Sequence, residues 1–502
     1  MASPSEKLAK SLEILKALQD QGITAVRSRD LSRTHRERLV KNGFLQEVIK
    51  GWYIQSRPDE EAGESSSWFA SFWNFAASYL ESRFGEAWCL SPEQSLSIHT
   101  GNMTVPRQLL VRTNKGGNNV INLPYGTSLL DIKVGLPDIS DTDVIDGLRI
   151  FALPAALIAC TPASYKRNPT EIRTALAMVG DASELLERLL NGGHSTIAGR
   201  LAGAFRNMGR ADLAEHIIGT MDAAGFTVRE SDPFETASPI IFSQREPSPY
   251  VSRLRILWSQ MRAEVLEDFP IACQPMAKSE YLKAIDDLYT SDAYHSLSIE
   301  GYRVSTALIE RVKSGNWNPD NDHGDREHRD AMAARGYWLA YQAVRKSIEA
   351  ILDGANPGET IRKDHANWYR ELWAPSVTAG ILRPGDLAGY RNGPVYIRRS
   401  KHVPPNMEAV RELMPALFDL LEEEEAAVRI VLGHFFFVYI HPYMDGNGRI
   451  GRFLMNTMMA AGGYPWTIVP VEQRQEYMVA LESASVDQDV RPFTQFLKQL
   501  LA

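Results

Sequence analysis

Cysteine is scarce in this sequence: three residues among 502, at positions 89, 160 and 273. They lie far apart with no metal-ligand spacing, so the expectation is buried free thiols in a reducing compartment rather than a disulfide framework. No apolar run reaches membrane length. Val428–Ile440 comes near in character, but it is too short to cross a bilayer and includes Arg429 and His434. The opening MASPSEKLAK lacks a basic segment followed by an apolar core, and the reading is a cytoplasmic chain without a secretory signal. A positive excess is missing as well. The net charge of −8 argues against a general affinity for polyanions, although local patches can differ. The rest is ordinary for a globular protein, with 44% apolar and 23% charged residues, and the length implies several domains.

The densest chemistry lies in Val428–Ala461, VRIVLGHFFFVYIHPYMDGNGRIGRFLMNTMMAA. The apolar run reads as a buried helix by its length. Pro442 disfavours helical geometry at His441, which places the imidazole at the helix edge. Asp445-Gly446-Asn447-Gly448 then forms a loop whose glycines allow successive N–H groups to converge on one point, an anion nest. The next helix starts there, with its free N–H groups and positive dipole end at the same place. Arg449 and Arg452, three apart, share a helical face. Asp445 offers the hard oxygens that Mg²⁺ prefers beside phosphates. A base, a metal carboxylate, a nest and two guanidiniums in twelve residues describe a polyphosphate transfer site.

These residues match the HxFx(D/E)GNGRxxR motif, and the chain is identified on it as similar to the Fic (Fido) family. Tyr443 departs from the usual Phe, and it fills the same apolar slot if its hydroxyl finds a partner. The resemblance implies protein adenylylation. ATP would be bound by Gly446, Asn447, Gly448, Arg449, Gly451 and Arg452, and Mg²⁺ by Asp445. His441 would be the base that takes the proton from a target Ser, Thr or Tyr hydroxyl. Relatives that transfer the γ-phosphate have Lys where this chain has Gly448, which favours AMP transfer here.

Upstream, Ser279–Gly301 reads as a helix ending at Gly301, with Ser296 and Glu300 four apart on one face. Ser296-Leu297-Ser298-Ile299-Glu300-Gly301 resembles the (S/T)xxxE(G/N) inhibitory motif of Fic proteins. The resemblance implies that Glu300 reaches Arg452. The gross attraction at contact is about 4 kcal/mol at an effective dielectric of 20, and desolvation removes much of it. A net coupling of about 1–3 kcal/mol still alters productive nucleotide binding roughly 5–150-fold. In bifunctional relatives such a glutamate can also orient a water for removal of AMP.

The N-terminal region follows another plan. A helix over Glu6–Leu18, a short strand at Ile23–Ala25, a helical stretch over Ser28–Asn42 and two strands around Lys50-Gly51 suggest a winged helix-turn-helix. Arg27–Lys50 holds seven Lys/Arg against three Asp/Glu. Arg33, Arg36 and Arg38 fall on the helix that would enter a DNA groove. Leu31 to about Asn102, with GFLQEVIKGWYI and LSPEQSLSIHTGN, resembles the AbiEi-like antitoxin or regulator family, which implies a winged N-terminus followed by an α/β domain.

The organisation expected is therefore a multidomain, mainly α protein. Residues 1–58 are the winged helix-turn-helix and 59–228 the AbiEi-like α/β domain. A Pro-rich linker covers 229–250. Residues 251–355 are a helical region with the inhibitory helix, and 356–502 an all-helical Fido catalytic domain. Within the last, Arg383-Pro384-Gly385, Asn392-Gly393 and the alternating Pro394–Arg398 suggest a β-hairpin, and the resemblance to a Fic core implies that it is a flap that pairs with an extended target segment. Glu422–Glu425 reads as a solvated run at a helix start, without a catalytic role. The partners expected are a protein target, with self-modification, DNA at the N-terminal module and a homo-oligomer left open, and no membrane. The alternative is a DNA-binding regulator or toxin–antitoxin-like protein with a vestigial Fic core.

Overall fold

A computed structural model describes residues 3–58, 64–234, 248–271, 276–315 and 329–501. Cys273 and residues 235–247 of the expected linker lie outside them. The chain divides into two compact units, Met1–Arg253 with Tyr396–Val403, and Leu254–Val395 with Pro404–Ala502.

The first unit opens with helix α1 (Pro4–Asp20), where Ser3 and Glu6 cap each other's backbone and Pro4 occupies the first turn. Strand β1 (Ala25–Arg27), helix α2 (Arg33–Lys41) and strands β2 (Leu45–Ile49) and β3 (Trp52–Gln55) follow, with the antiparallel order β1-β3-β2. Leu15, Val26, Leu31, Leu39, Leu45 and Tyr53 form a core of their own. The helical stretch expected over Ser28–Asn42 is shorter, because the Asp30 carboxylate accepts from the Arg27 N–H at 2.8 Å. That local bond holds a turn where a helix would otherwise begin. The helix starts only after Ser32, whose Oγ accepts from His35 N.

Helix α3 (Ser66–Phe84) shares a second core with a four-stranded sheet. The strands are β4 (Cys89–Leu90), β5 (Gln108–Thr113), β6 (Val120–Asn122) and β7 (Ser128–Lys133), in the order β4-β5-β7-β6. Only β5 and β7 run parallel. Helix α4 (Pro92–His99) and a hairpin of β8 (Thr142–Ile145) and β9 (Leu148–Phe151) come next. His99 Nε2 bonds the Phe151 carbonyl at 2.8 Å, a structural role. Six helices complete this part: α5 (Leu153–Ala159), α6 (Pro162–Arg167), α7 (Pro169–Met178), α8 (Ser183–Asn191), α9 (Ser195–Asn207) and α10 (Ala211–Ala223). Cys89 and Cys160 are buried, and burial pushes both thiols up to about 12, so they stay protonated and inert.

The rest is helical. It comprises α11 (Pro249–Asp268), α12 (Lys278–Ile299), α13 (Thr306–Lys313), α14 (Arg329–Leu352), α15 (Pro357–Thr378), α16 (Met407–Glu422), α17 (Ala426–Ile440), α18 (Asn447–Ala461), α19 (Arg474–Glu482) and α20 (Arg491–Leu500). Helix α18 packs against α17, α14 and α15, and nearly every one of its side chains is buried.

Two expectations are corrected here. The flap is not a hairpin. Among the described residues no strand lies between 383 and 405, and Pro384–Leu387 is a 3₁₀ turn. A two-residue hairpin turn of the expected kind needs positive φ at both central residues, and neither Asn392 nor Gly393 has it. Isolated side-chain and backbone bonds fix this segment instead. Tyr396–Val403 belongs to the first unit, where Arg398 Nε meets the buried Glu64 carboxylate at 2.5 Å. There, Arg399 N donates to Ser66 Oγ at 3.0 Å and Val105 N to the Lys401 carbonyl at 3.0 Å. The acidic run is also not simply solvated. Glu424 accepts from Trp258 Nε1 and Arg262, and Glu422 pairs with Arg362. Those partners lie on α11 and α15, far away in sequence, so no local pattern announces them.

Candidate active site

Helix α17 ends at His441, which takes the left-handed conformation, φ 53° and ψ 60°, while its N–H still closes on the Phe437 carbonyl. A residue with a Cβ is held there only by its surroundings. His441 Nδ1 lies 3.1 Å from the Val438 carbonyl, so Nδ1 carries the hydrogen and Nε2 keeps its lone pair. Burial pushes the imidazole down to about 4, with help from the Arg391 charge and against Glu300 and Asp445. The ring is therefore neutral near pH 7, the form a general base requires.

The loop is closed from within. Asn447 Oδ1 accepts from Tyr443 N at 2.9 Å and its Nδ2 donates to the Tyr443 carbonyl at 2.8 Å. Tyr443 fills its apolar slot by stacking on Tyr369, with centroids 3.8 Å apart and planes 4° off parallel. Its hydroxyl is buried without a hydrogen-bond partner among the described residues, contrary to the expectation. Gly446, at φ 84°, provides the left-handed step into α18.

The two arginines sit side by side but are treated differently. Arg452 Nε donates to Ser296 Oγ at 3.0 Å, and Nη2 donates to the Ser296 carbonyl at 3.1 Å and to Glu300 Oε1 at 2.7 Å. Burial pushes the Glu300 carboxyl up, but the charges of Arg452 and Arg449 outweigh it and the net shift is downward. A Cβ at position 448 would come within 2.4 Å of Glu300 Oε1, so this carboxylate lies directly on Gly448 at the helix start. Helix α12 is held in place to present it. Asp292 accepts from Tyr337 and Trp466, His295 Nδ1 accepts from Val471 N, and Arg474 Nε reaches the Ile299 carbonyl.

Arg449 is 1% exposed, and none of its three guanidinium nitrogens has a hydrogen-bond partner among the described residues. Trp373 and Tyr302 lie against it, 4.6 and 5.1 Å from the guanidinium carbon. Asp445, 60% exposed, comes no closer than 3.7 Å. Arg452 Nη1 and Trp373 Nε1 are likewise buried and unpartnered. Buried donors without acceptors are costly unless a ligand supplies them. These suit a polyanion. No cluster of three or more His, Cys, Asp or Glu side chains able to hold a metal occurs among the described residues. Mg²⁺ does not need one, since it is bound by one or two carboxylates together with phosphate oxygens. Asp445 fits that role.

The sequence from 359 to 459 matches the Fic/DOC family. The chain is 30% identical over 226 residues to "Protein adenylyltransferase Fic" of Drosophila willistoni, covering 44% of this chain and 42% of that relative. The same name and identity hold for the Drosophila virilis protein, over 44% of this chain and 43% of the relative. The chain thus spans less than half the length of these curated relatives. A solved structure of Fic-1 from C. elegans is 18% identical, covers 68% of this chain and 94% of that one, and superposes with a TM-score of 0.36.

The packing of α12 against α18 and its loop brings His441, Asp445, Gly446, Gly448, Arg449, Arg452, Ser296 and Glu300 to one place. A Cβ at Gly451 would stand 3.1 Å from Val438 and 3.2 Å from the His434 ring, so the missing side chain lets α18 lie close to α17. Gly301, φ 84°, ends α12 as expected. In the N-terminal module each of the three arginines is engaged by the chain itself. Arg33 pairs with Glu37, Arg36 donates to the Ser28 carbonyl, and Arg38 donates to Lys7 O and Ser11 Oγ. Trp373, Tyr302 and Tyr369 went unread in the sequence, because their place beside the motif depends on helix packing alone.

His434, under the motif, is fully buried, with Nε2 bonded to Tyr477 OH at 2.8 Å, and burial pushes it from 6.5 to about 4. The unfolded chain therefore binds the extra proton first. Stability is complete above pH 6.5 and is lost as pH falls toward 4, by on the order of 3 kcal/mol. Thermal melts across pH 4–7 should show this decline, and His434→Gln should remove its share and leave that of His441, which burial lowers to about 4 as well.

Proposed function

We propose that the chain is a protein adenylyltransferase that moves AMP from ATP to a hydroxyl side chain of a target protein and is held inactive by Glu300. The observation that carries this reading is the pair of buried arginines at the start of α18. Arg449 has three unmet donors, and Arg452 is occupied by an internal carboxylate. A triphosphate would satisfy the first and compete with Glu300 for the second.

In this reading His441 Nε2 takes the proton from the target hydroxyl while that oxygen attacks the α-phosphorus. The bond from the α-phosphorus to the bridging oxygen breaks, and pyrophosphate leaves. Arg449 supports the phosphates and Arg452 holds the γ-phosphate, so that the α-phosphorus faces the hydroxyl. Asp445 would hold Mg²⁺, which neutralises phosphate charge when bound. Positioning and preorganised charge account for most of such a rate enhancement. Glu300 opposes it by occupying Arg452 and the space above Gly448, so the γ-phosphate cannot settle. The same carboxylate, moved aside, has the chemistry to orient water for AMP removal.

The test uses purified protein, a protein extract and ATP labelled at either the α- or the γ-phosphate. Transfer of α-label and not γ-label supports the reading, and mass spectrometry of the modified proteins reports donor and target together. Label from the γ-position alone would overturn it.

A second reading, DNA binding by the N-terminal module, draws support from the β1-β3-β2 sheet with its Lys50-Gly51 turn and from the basic excess around α2. A salt-sensitive gel shift that weakens with Arg33→Ala is its test.

A further inference from the structure

Arg391 is 2% exposed, and no carboxylate pairs with it among the described residues. Burial, with the neighbouring Arg411 charge, pushes its guanidinium down to about 10. Such a cation is retained only where its donors have good acceptors. Every acceptor here is a main-chain oxygen. Nε donates to the His441 carbonyl at 2.8 Å and Nη1 to the Gly393 carbonyl at 3.1 Å. Nη2 donates to the Pro405 carbonyl and reaches the Ile440 carbonyl at 3.5 Å. The Arg391 N–H itself donates to the Pro442 carbonyl at 2.9 Å.

One side chain therefore joins the last carbonyls of α17, the left-handed residue that follows, and both ends of the loop between Gly393 and Pro405. The planar fork matters, because a guanidinium can serve several acceptors in fixed directions and an ammonium cannot. His441 is the residue most affected. Its φ of 53° is held by two bonds at its own backbone and one at the next residue: its N–H to Phe437, its carbonyl to Arg391 Nε, and the Pro442 carbonyl to Arg391 N. Two of these three come from Arg391.

We propose that Arg391 is a positioning residue for His441. Its guanidinium clamps the carbonyl about which the left-handed turn pivots, and this sets the direction in which Nε2 points. The inference rests on the adenylyl-transfer reading for its kinetic consequence only. The clamp also places a positive charge by the imidazole and opposes its protonation, whereas Glu300 and Asp445 favour it.

The test is Arg391→Met in a Glu300→Gly background, with steady-state kinetics across pH. Expected are a fall in kcat of about 100-fold, the scale of a small misplacement of a reacting group, a KM for ATP within threefold of the parent, and an acid limb of kcat/KM moved to higher pH. A kcat within threefold of the parent overturns the proposal. So does a loss that only tracks the folded fraction, with the acid limb unmoved. Should the Met variant fail to fold, Arg391→Lys keeps the charge but not the fork. It should leave the acid limb in place and lower kcat about tenfold, and an undiminished kcat overturns the proposal. If the Glu300→Gly parent transfers no label, the adenylyl reading fails by itself, and the clamp is still read by NMR. The His441 ring should then titrate at higher pH in Arg391→Met than in the parent, and an unchanged midpoint overturns it.

Discussion

Replacing Glu300 by Gly should raise transfer of α-label from ATP by roughly 5–150-fold, the range of a coupling of about 1–3 kcal/mol between two sites. The sign follows from the geometry. Glu300 Oε1 stands 2.7 Å from Arg452 Nη2 and directly over Gly448. Removing it vacates both the cation and the space at the helix start. The variant should also melt lower than the parent without nucleotide, since breaking one side of a largely buried pair leaves a charge in low dielectric. Ser296 Oγ and its carbonyl remain as acceptors, so the loss is moderated. ATP should restore stability to the variant more than to the parent, because ligand that binds the folded state stabilises it by mass action. Transfer unchanged by Glu300→Gly, with ATP affinity also unchanged, would remove Glu300 from any inhibitory role.

The second large effect is the loss expected for His441→Ala. In the Glu300→Gly background, single-turnover transfer should drop by about 10²–10⁴, the usual contribution of a positioned general base. ATP affinity measured by calorimetry should stay within a few-fold, since the phosphate contacts proposed come from α18 and its loop. Because burial holds the imidazole at about 4, transfer by the Glu300→Gly parent should persist well below pH 6.5 and fall as pH drops through about 4. Transfer retained within tenfold in His441→Ala would show that the hydroxyl is deprotonated by something else.

Much of this site could be read from residue order because its parts are local. His441, Asp445 and Gly446 occupy the turn between two helices, Gly448, Arg449 and Arg452 follow in the first turns of the second, and helix periodicity sets the geometry of these last three. Glu300 lies more than a hundred residues upstream, yet its helical spacing from Ser296 and its likeness to an inhibitory motif sufficed to pair it with Arg452. What local order could not show was tertiary. Glycines serve a phosphate loop and a helix contact equally well, and only the neighbouring His434 and Val438 show that Gly451 lies at a helix contact. The alternation of Pro394–Arg398 suggests a strand, but a strand exists only where another segment pairs with it. Here Glu64 and Ser66 take the segment by its side chains and backbone instead. Arg391, Trp373 and Tyr302 had no motif to mark them, since each acts through a residue remote in sequence.

The allocation of Tyr396–Val403 to the first unit bears on how the protein can be dissected. A fragment trimmed to begin after Arg253 would lose Glu64, Ser66 and the Val105 amide, and eight of its own residues would be left without their scaffold. Shortened versions that behave poorly would then report a missing brace rather than a faulty reaction centre.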